Sequence, residues 1–264
     1  MINITPIKKY LNNPIQNYKL VPIKYTKKEQ NIIECLDINK YSLFNHYGNK
    51  SDIDNKKLNT FLDNLGSNKD QNLQILYKLI IKLLDKITKA FNTNFIWLTI
   101  RISLPNNNFD LKRWHKDGPF FVDPPQRIDQ YKFVSILKGP GTLFMKDSKQ
   151  INEIYENNIL ERRAEFEKTN VEQSFDDEIT LKYRKKLANK LKKFKYNQLK
   201  NDEGLIFRTG CYDTELDNGV LHSEPKIDSS RFFISILPGT EKEINELIKR
   251  RNIKELTSMF VKNN

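Results

Sequence analysis

Residues 113–118 read Arg113-Trp114-His115-Lys116-Asp117-Gly118, and their place among the neighbouring segments decides the fold. A histidine and an aspartate two positions apart on extended backbone point to the same side. Ahead of them, Phe95–Ser103 is β-branched and aromatic with partial alternation, as a strand requires. Behind them comes a Gly-Pro turn, then a strand at Tyr131–Leu137, closed by the turn Gly139-Pro140-Gly141-Thr142 and followed by Leu143–Met145. Gly204–Arg208, Val220–His222 and Arg231–Leu237 continue the series. Short strands separated by turn signals predict an antiparallel barrel or sandwich.

Outward from this core the pattern changes. The periodicity predicts a helix over 70–91, with Leu73, Leu76, Ile80, Leu84 and Ile87 on one face, suited to packing against a sheet. A short helix is predicted around Lys27–Leu36. Another is predicted over 52–65, from the capping pair Ser51/Asp54 to a stop at Gly66. Otherwise 1–50 reads as irregular, with prolines at 6, 14 and 22. The segment from about 150 to 200 reads as a charged helical insertion. Thr240 and Glu243 form a second capping box, opening a predicted helix over about 241–260. The expected organisation is a helical region 1–94 packing on the core, a core over 95–240 interrupted by the insertion, and a C-terminal helix within 241–264.

The chain has 264 residues, enough for one sizeable core with appendages, and a formal net charge of +12. Part of that charge lies in Lys182–Lys195, eight basic residues without one acid. Two interpretations stand for it: a solvated helix with one packed face, or a basic arm that touches nucleic acid. Lysine enrichment across the whole chain, of the kind codon bias produces, supports the first. Cys35 and Cys211 are far apart and fit ordinary thiols in a reducing compartment. No signal peptide and no apolar run long enough to cross a bilayer is visible, so the expectation is a soluble intracellular protein without a membrane partner.

The chemistry gathers around few residues. There are three histidines, His46, His115 and His222. His46 reads as a satisfied core residue. His115 and Asp117 with the distant His222 make a two-His-one-carboxylate set, which leaves open positions on a non-haem iron. Arg231 opens the last strand, where Arg231, Phe233 and Ser235 share one face.

This layout resembles the Fe(II)- and 2-oxoglutarate-dependent dioxygenases, and within them a branch with a G-P-G-T turn. The quoted residues are His115-Lys116-Asp117, Gly139–Thr142, Gly204–Phe207 and His222-Ser223-Glu224-Pro225. The resemblance covers about 95–240, less the insertion. It implies an α+β protein with a double-stranded β-helix core of jelly-roll or cupin-like type. His115, Asp117 and His222 would then ligate Fe(II), Arg231 would anchor 2-oxoglutarate, and O2 would be the oxidant. Where many members carry Arg-x-Ser, this chain has Arg231-Phe232-Phe233, with its serine at 235. Ser235, Tyr131 and Thr142 are therefore the candidates for a hydroxyl on the cosubstrate. Trp114, Arg101 and Arg208 are candidates near the substrate, and Asp123–Arg127 for a loop over the site. The implied activity is hydroxylation or oxidative demethylation. Against it stand a non-enzymatic metal- or nucleic-acid-binding protein on the same barrel, and a cupin-type isomerase or hydrolase with another metal.

Overall fold

The computed structural model describes residues 2–14, 16–121, 130–169, 177–210 and 219–262. The N-terminal third holds α1 (Thr5–Asn12), β1 (Tyr18–Pro22), α2 (Lys27–Cys35), β2 (Tyr41–Asn49), α3 (Asn55–Asp63) and α4 (Asp70–Phe91). There follow β3 (Phe95–Ser103), β4 (Tyr131–Lys138), β5 (Leu143–Phe144), α5 (Lys149–Thr169) and α6 (Glu178–Leu191). The chain continues through β6 (Asn197–Gln198), β7 (Glu203–Arg208), β8 (His222–Ser223), β9 (Arg231–Gly239), α7 (Glu241–Arg250) and β10 (Thr257–Lys262). Among the described residues no helix is long and apolar enough to cross a membrane.

The strands form two antiparallel sheets. The larger has the order β1-β7-β4-β9-β3-β2-β10, the smaller β6-β5-β8. Alternation along the central strands sends side chains to opposite faces. One face of the large sheet, with Ile96, Leu98, Ile100, Ile102, Phe133 and Ile234, packs on the helices through Leu76, Ile80, Leu84 and Ile87. Each such fully buried Leu or Ile contributes roughly 1.5–3 kcal/mol. On the other face, Val134, Ile136, Leu205, Phe207 and Phe233 meet Phe144, Leu199 and Val220 of the small sheet and its flanks. The small sheet therefore covers only the β4-β7-β9 part of that face. Its own outer side, with Leu143, Met145 and Leu221, is sealed by Ile151 of α5 and Leu187 and Leu191 of α6.

Several elements differ from the sequence-based expectation. The helix expected from residue 52 starts at Asn55, because Asp54 is the residue that caps it, accepting from Lys57 N at 2.9 Å. Ser51 lies in a 3-10 turn, its hydroxyl bonded to Asn49 and Asp52. The N-terminal region is not only helical: β1 and β2 join the large sheet. Pro22 is tolerated there because it ends an edge strand. The C-terminal helix stops at Arg250, followed by the left-handed Asn252 (φ 50°). Thr257–Lys262 then turns back as an edge strand on β2. The insertion is a pair of packed helices, in which Lys182 pairs with Glu165 and Lys186 with Glu161. These two basic residues of Lys182–Lys195 are thus engaged within the chain.

Candidate metal centre

His115 and His222 face each other across an isolated antiparallel bridge, each donating its backbone N–H to the other's carbonyl at 2.9 Å. The bridge extends the small sheet by one short stretch and fixes both rings on its inner side. His115 Nδ1 lies 2.8 Å from Arg113 O, and His222 Nδ1 lies 2.9 Å from Val220 O. A carbonyl can only accept, so both Nδ1 atoms carry a proton, and Nε2 is the nitrogen that each ring turns inward as a donor. Tying the far nitrogen to a backbone carbonyl is how proteins orient a ligating histidine.

Asp117 completes the group. One ligand atom from each of the three side chains lies within 4.8 Å of the others, and His222 Nε2 is 3.8 Å from Asp117 Oδ1. Burial is the largest influence on His222. It pushes the imidazole down to about 4. A neutral His222 makes no ion pair with Asp117, so the 3.8 Å separation is a gap between two donors. On Asp117 burial opposes ionisation, but the adjacent Lys132 ammonium outweighs it and holds the carboxyl well below the usual range. Lys132 takes Oδ2 at 2.9 Å, which leaves Oδ1 to turn toward the histidines. Two imidazoles and one carboxylate form a donor set that fits a divalent first-row metal.

These side chains line a cavity of about 180 Å³ together with Arg101, Arg113, Lys132, Val134, Thr142, Phe207, Glu224, Arg231 and Phe233. Arg231 is 2% exposed. It donates through Nε to Pro140 O at 2.9 Å and through one terminal nitrogen to Thr142 Oγ1 at 3.1 Å, and its guanidinium lies 4.7 Å from the Phe233 ring centroid. Among the described residues no carboxylate comes within ion-pair distance of it. Burial, with Arg101 adding repulsion, pushes it down to about 9, so it remains charged at neutral pH.

The Gly139–Thr142 turn is the cradle of this arginine. Gly139 has φ +86°, and a side chain there would meet Ser230 O; one on Gly141 would stand 1.7 Å from Leu199 O. Backbone on both sides cannot retreat as a flexible side chain could. Gly141→Ala is therefore expected to destabilise the fold by at least about 2 kcal/mol, seen as a lower urea midpoint. An unchanged midpoint would show that the turn is not closely packed.

The remaining sequence candidates divide. Thr142 and Arg101 line the cavity. Ser235 shares the face of Arg231 but lies in the adjoining open groove, where it pairs with Thr99 of β3. Tyr131 points to the helical side, its ring edge-on to Tyr10. Trp114 packs beneath α5 and α6 with Leu143 and Met145. Arg208 lines a separate surface pocket with Asn17 and Lys146. His46 is fully buried and bonded to Thr257 Oγ1 and Asn49 O, both at 2.8 Å. Asp123–Arg127 and Cys211 lie outside the described residues. Sequence reasoning missed Lys132, Arg113 and Glu224, the last two paired at 2.8 Å in the cavity wall.

No protein-family model matches the chain, and no curated relative does. Among solved structures it is similar to the apo form of a Kdo hydroxylase, a non-heme Fe(II) alphaketoglutarate-dependent dioxygenase. That match has 12% identity and TM-score 0.42, over 94% of this chain and 91% of that one. It is also similar to a prolyl-4-hydroxylase of Pseudomonas putida, with 8% identity and TM-score 0.36 over 89% and 97%. A third is a Trichoplax adhaerens prolyl hydroxylase in complex with a hypoxia inducible factor peptide fragment, with 8% identity and TM-score 0.37 over 92% and 91%. At these scores the likeness carries no functional argument, which rests on the side chains.

Proposed function

We propose that the chain is a double-stranded β-helix dioxygenase that uses Fe(II), 2-oxoglutarate and O2 to hydroxylate, or oxidatively demethylate, a substrate. The observation that carries this is Arg231, a buried guanidinium without a carboxylate partner among the described residues, facing the same cavity as His115, Asp117 and His222. An unpaired buried cation is costly, and a carboxylate that enters the cavity offsets that cost. A metal site alone gives Arg231 no reason to be there.

His115 Nε2, Asp117 Oδ1 and His222 Nε2 would hold the iron. When bound, ferrous iron with its 2-oxo acid supplies the activation of dioxygen that no side chain can provide. The chain supplies the rest. Arg231 offers its unbonded terminal nitrogen, and Thr142 its hydroxyl, to the remote carboxylate of the cosubstrate. The lining carries Arg101, Arg113, Lys132 and Arg231 against Asp117 and Glu224, a balance suited to a dianion. Val134, Phe207 and Phe233 keep water from the walls, and Lys132 holds Asp117 in place.

The test is anaerobic loading with Fe(II), then exposure to O2 with 2-oxoglutarate and pooled candidate substrates. One iron per chain and succinate in step with 2-oxoglutarate loss are expected. Stoichiometric iron with 2-oxoglutarate neither bound nor consumed would favour the binding-protein alternative.

A further inference from the structure

The large sheet's inner face continues past the edge of the small sheet along β2, β3 and β9, where Phe120, Phe121 and α7 pack on one end of it. There a second depression, of about 350 Å³, shares Arg101, Lys132 and Phe233 with the metal cavity. Its hydrogen-bonding character is set by Asn45. Asn45 Oδ1 accepts from Trp97 Nε1 at 3.2 Å and from Thr99 Oγ1 at 2.8 Å. Indole N–H can only donate, so the amide orientation is forced: the oxygen is consumed within the wall, and the NH2 is left to donate. The cations add to this. Arg101 has Glu224 at 3.9 Å, but that carboxylate is already held by Arg113 at 2.8 Å. Arg251, just after α7, lies 4.4 Å over the Trp97 ring beside the groove and interacts with the Tyr47 hydroxyl rather than lining it. Among the described residues that line the groove, none is acidic.

We propose that this groove binds an oxyanion, a carboxylate or a phosphate, carried by the substrate. A wall in which the Asn45 oxygen is engaged and its NH2 presented, beside the Arg101 guanidinium, discriminates in favour of such a group. Its continuity with the cavity through Arg101 and Phe233 would then direct the rest of the substrate toward the metal. That last step rests on the oxygenase reading; oxyanion binding does not.

Trp97 reports on the groove, and the second tryptophan, Trp114, is removed by Trp114→Phe. In that background iodide is expected to quench Trp97 more strongly than caesium, and inorganic phosphate or acetate to protect it from iodide. Whichever anion protects better identifies the oxyanion. Asn45→Asp keeps an oxygen for Trp97 and Thr99 and replaces the donor with negative charge. It is expected to weaken protection about tenfold or more, the effect of a like-charge contact of about 1.4 kcal/mol. Mn(II) affinity should stay within about twofold, since Asn45 is not a ligand. Caesium quenching as well as iodide, or Asn45→Asp binding both anions as the parent does, would overturn the proposal. So would protection that disappears with Arg231→Met but survives Asn45→Asp, which would assign the anion to the cavity. Failure of Mn(II) binding with protection intact would count against the metal centre and leave the groove standing.

Discussion

His222→Ala is expected to lower the affinity for Mn(II) or Fe(II) by roughly 100-fold or more, while the fold survives. Changing an outer-shell partner of a metal site already costs about 10–100-fold, and this change removes a donor outright. Only one imidazole and one carboxylate would remain, a pair that many surface sites offer. The fold survives because a neutral His222 gives up little: one bond to Val220 O and a ring contact with Phe207 at 5.0 Å. His46→Ala is the control. That histidine is as buried as His222 and makes two bonds, to Thr257 and Asn49. Losing it should cost about 1–3 kcal/mol of stability and leave metal affinity unchanged. Mn(II) titration followed by electron paramagnetic resonance, beside urea unfolding, separates the two effects. Equal Mn(II) affinity in the parent and in His222→Ala would remove the metal centre.

The contrast between these histidines explains what the sequence made legible. His115 and Asp117 could be paired because an H-x-D on extended backbone has one geometric outcome. Their distance from His222 in the chain was absorbed by a charged segment whose helical pattern set it apart from the strands. Arg231 was legible through the resemblance, as the arginine nine residues beyond His222 at the start of the last strand. The helix over 70–91 was plain from its periodicity.

Other features depended on long-range pairing. Lys132 in Tyr131–Lys138 looks like an outward lysine until β4 is set between β7 and β9, which turns it onto Asp117. Ser235 was assigned to the correct face, but four residues along a strand is about 13 Å. That distance carries it out of the metal cavity and into the adjoining groove. Thr257–Lys262 has no partner within its own neighbourhood. Only β2, some two hundred residues earlier, makes it a strand, and β2 itself alternates polar and apolar residues too irregularly to declare itself.

Arg231→Met is the change in which function and stability should move in opposite directions. Removing the guanidinium takes away the only buried cation of the cavity that lacks an acidic partner among the described residues. Replacing a poorly compensated buried charge with an apolar side chain of similar length is expected to stabilise the unliganded fold, by roughly 1–4 kcal/mol. The bonds to Pro140 O and Thr142 Oγ1 are lost, which brings the gain toward the lower end. Binding of 2-oxoglutarate should fall steeply, because the remote carboxylate loses its counter-charge at a buried position. In the parent, metal-loaded chain, 2-oxoglutarate at a hundred times its dissociation constant adds about 2.7 kcal/mol, or roughly 5–10 °C in Tm. In Arg231→Met the same addition should give almost no shift, although the unliganded Tm is higher. Metal affinity should change little, since no ligand atom is touched. A thermal scan with and without 2-oxoglutarate on both proteins reads both signs at once. Two results would sink the assignment: a 2-oxoglutarate shift preserved in Arg231→Met, or an unliganded variant that is less stable than the parent and still binds the cosubstrate. Either would make Arg231 a structural tie for the Gly139–Thr142 turn and leave the cavity's cosubstrate unassigned.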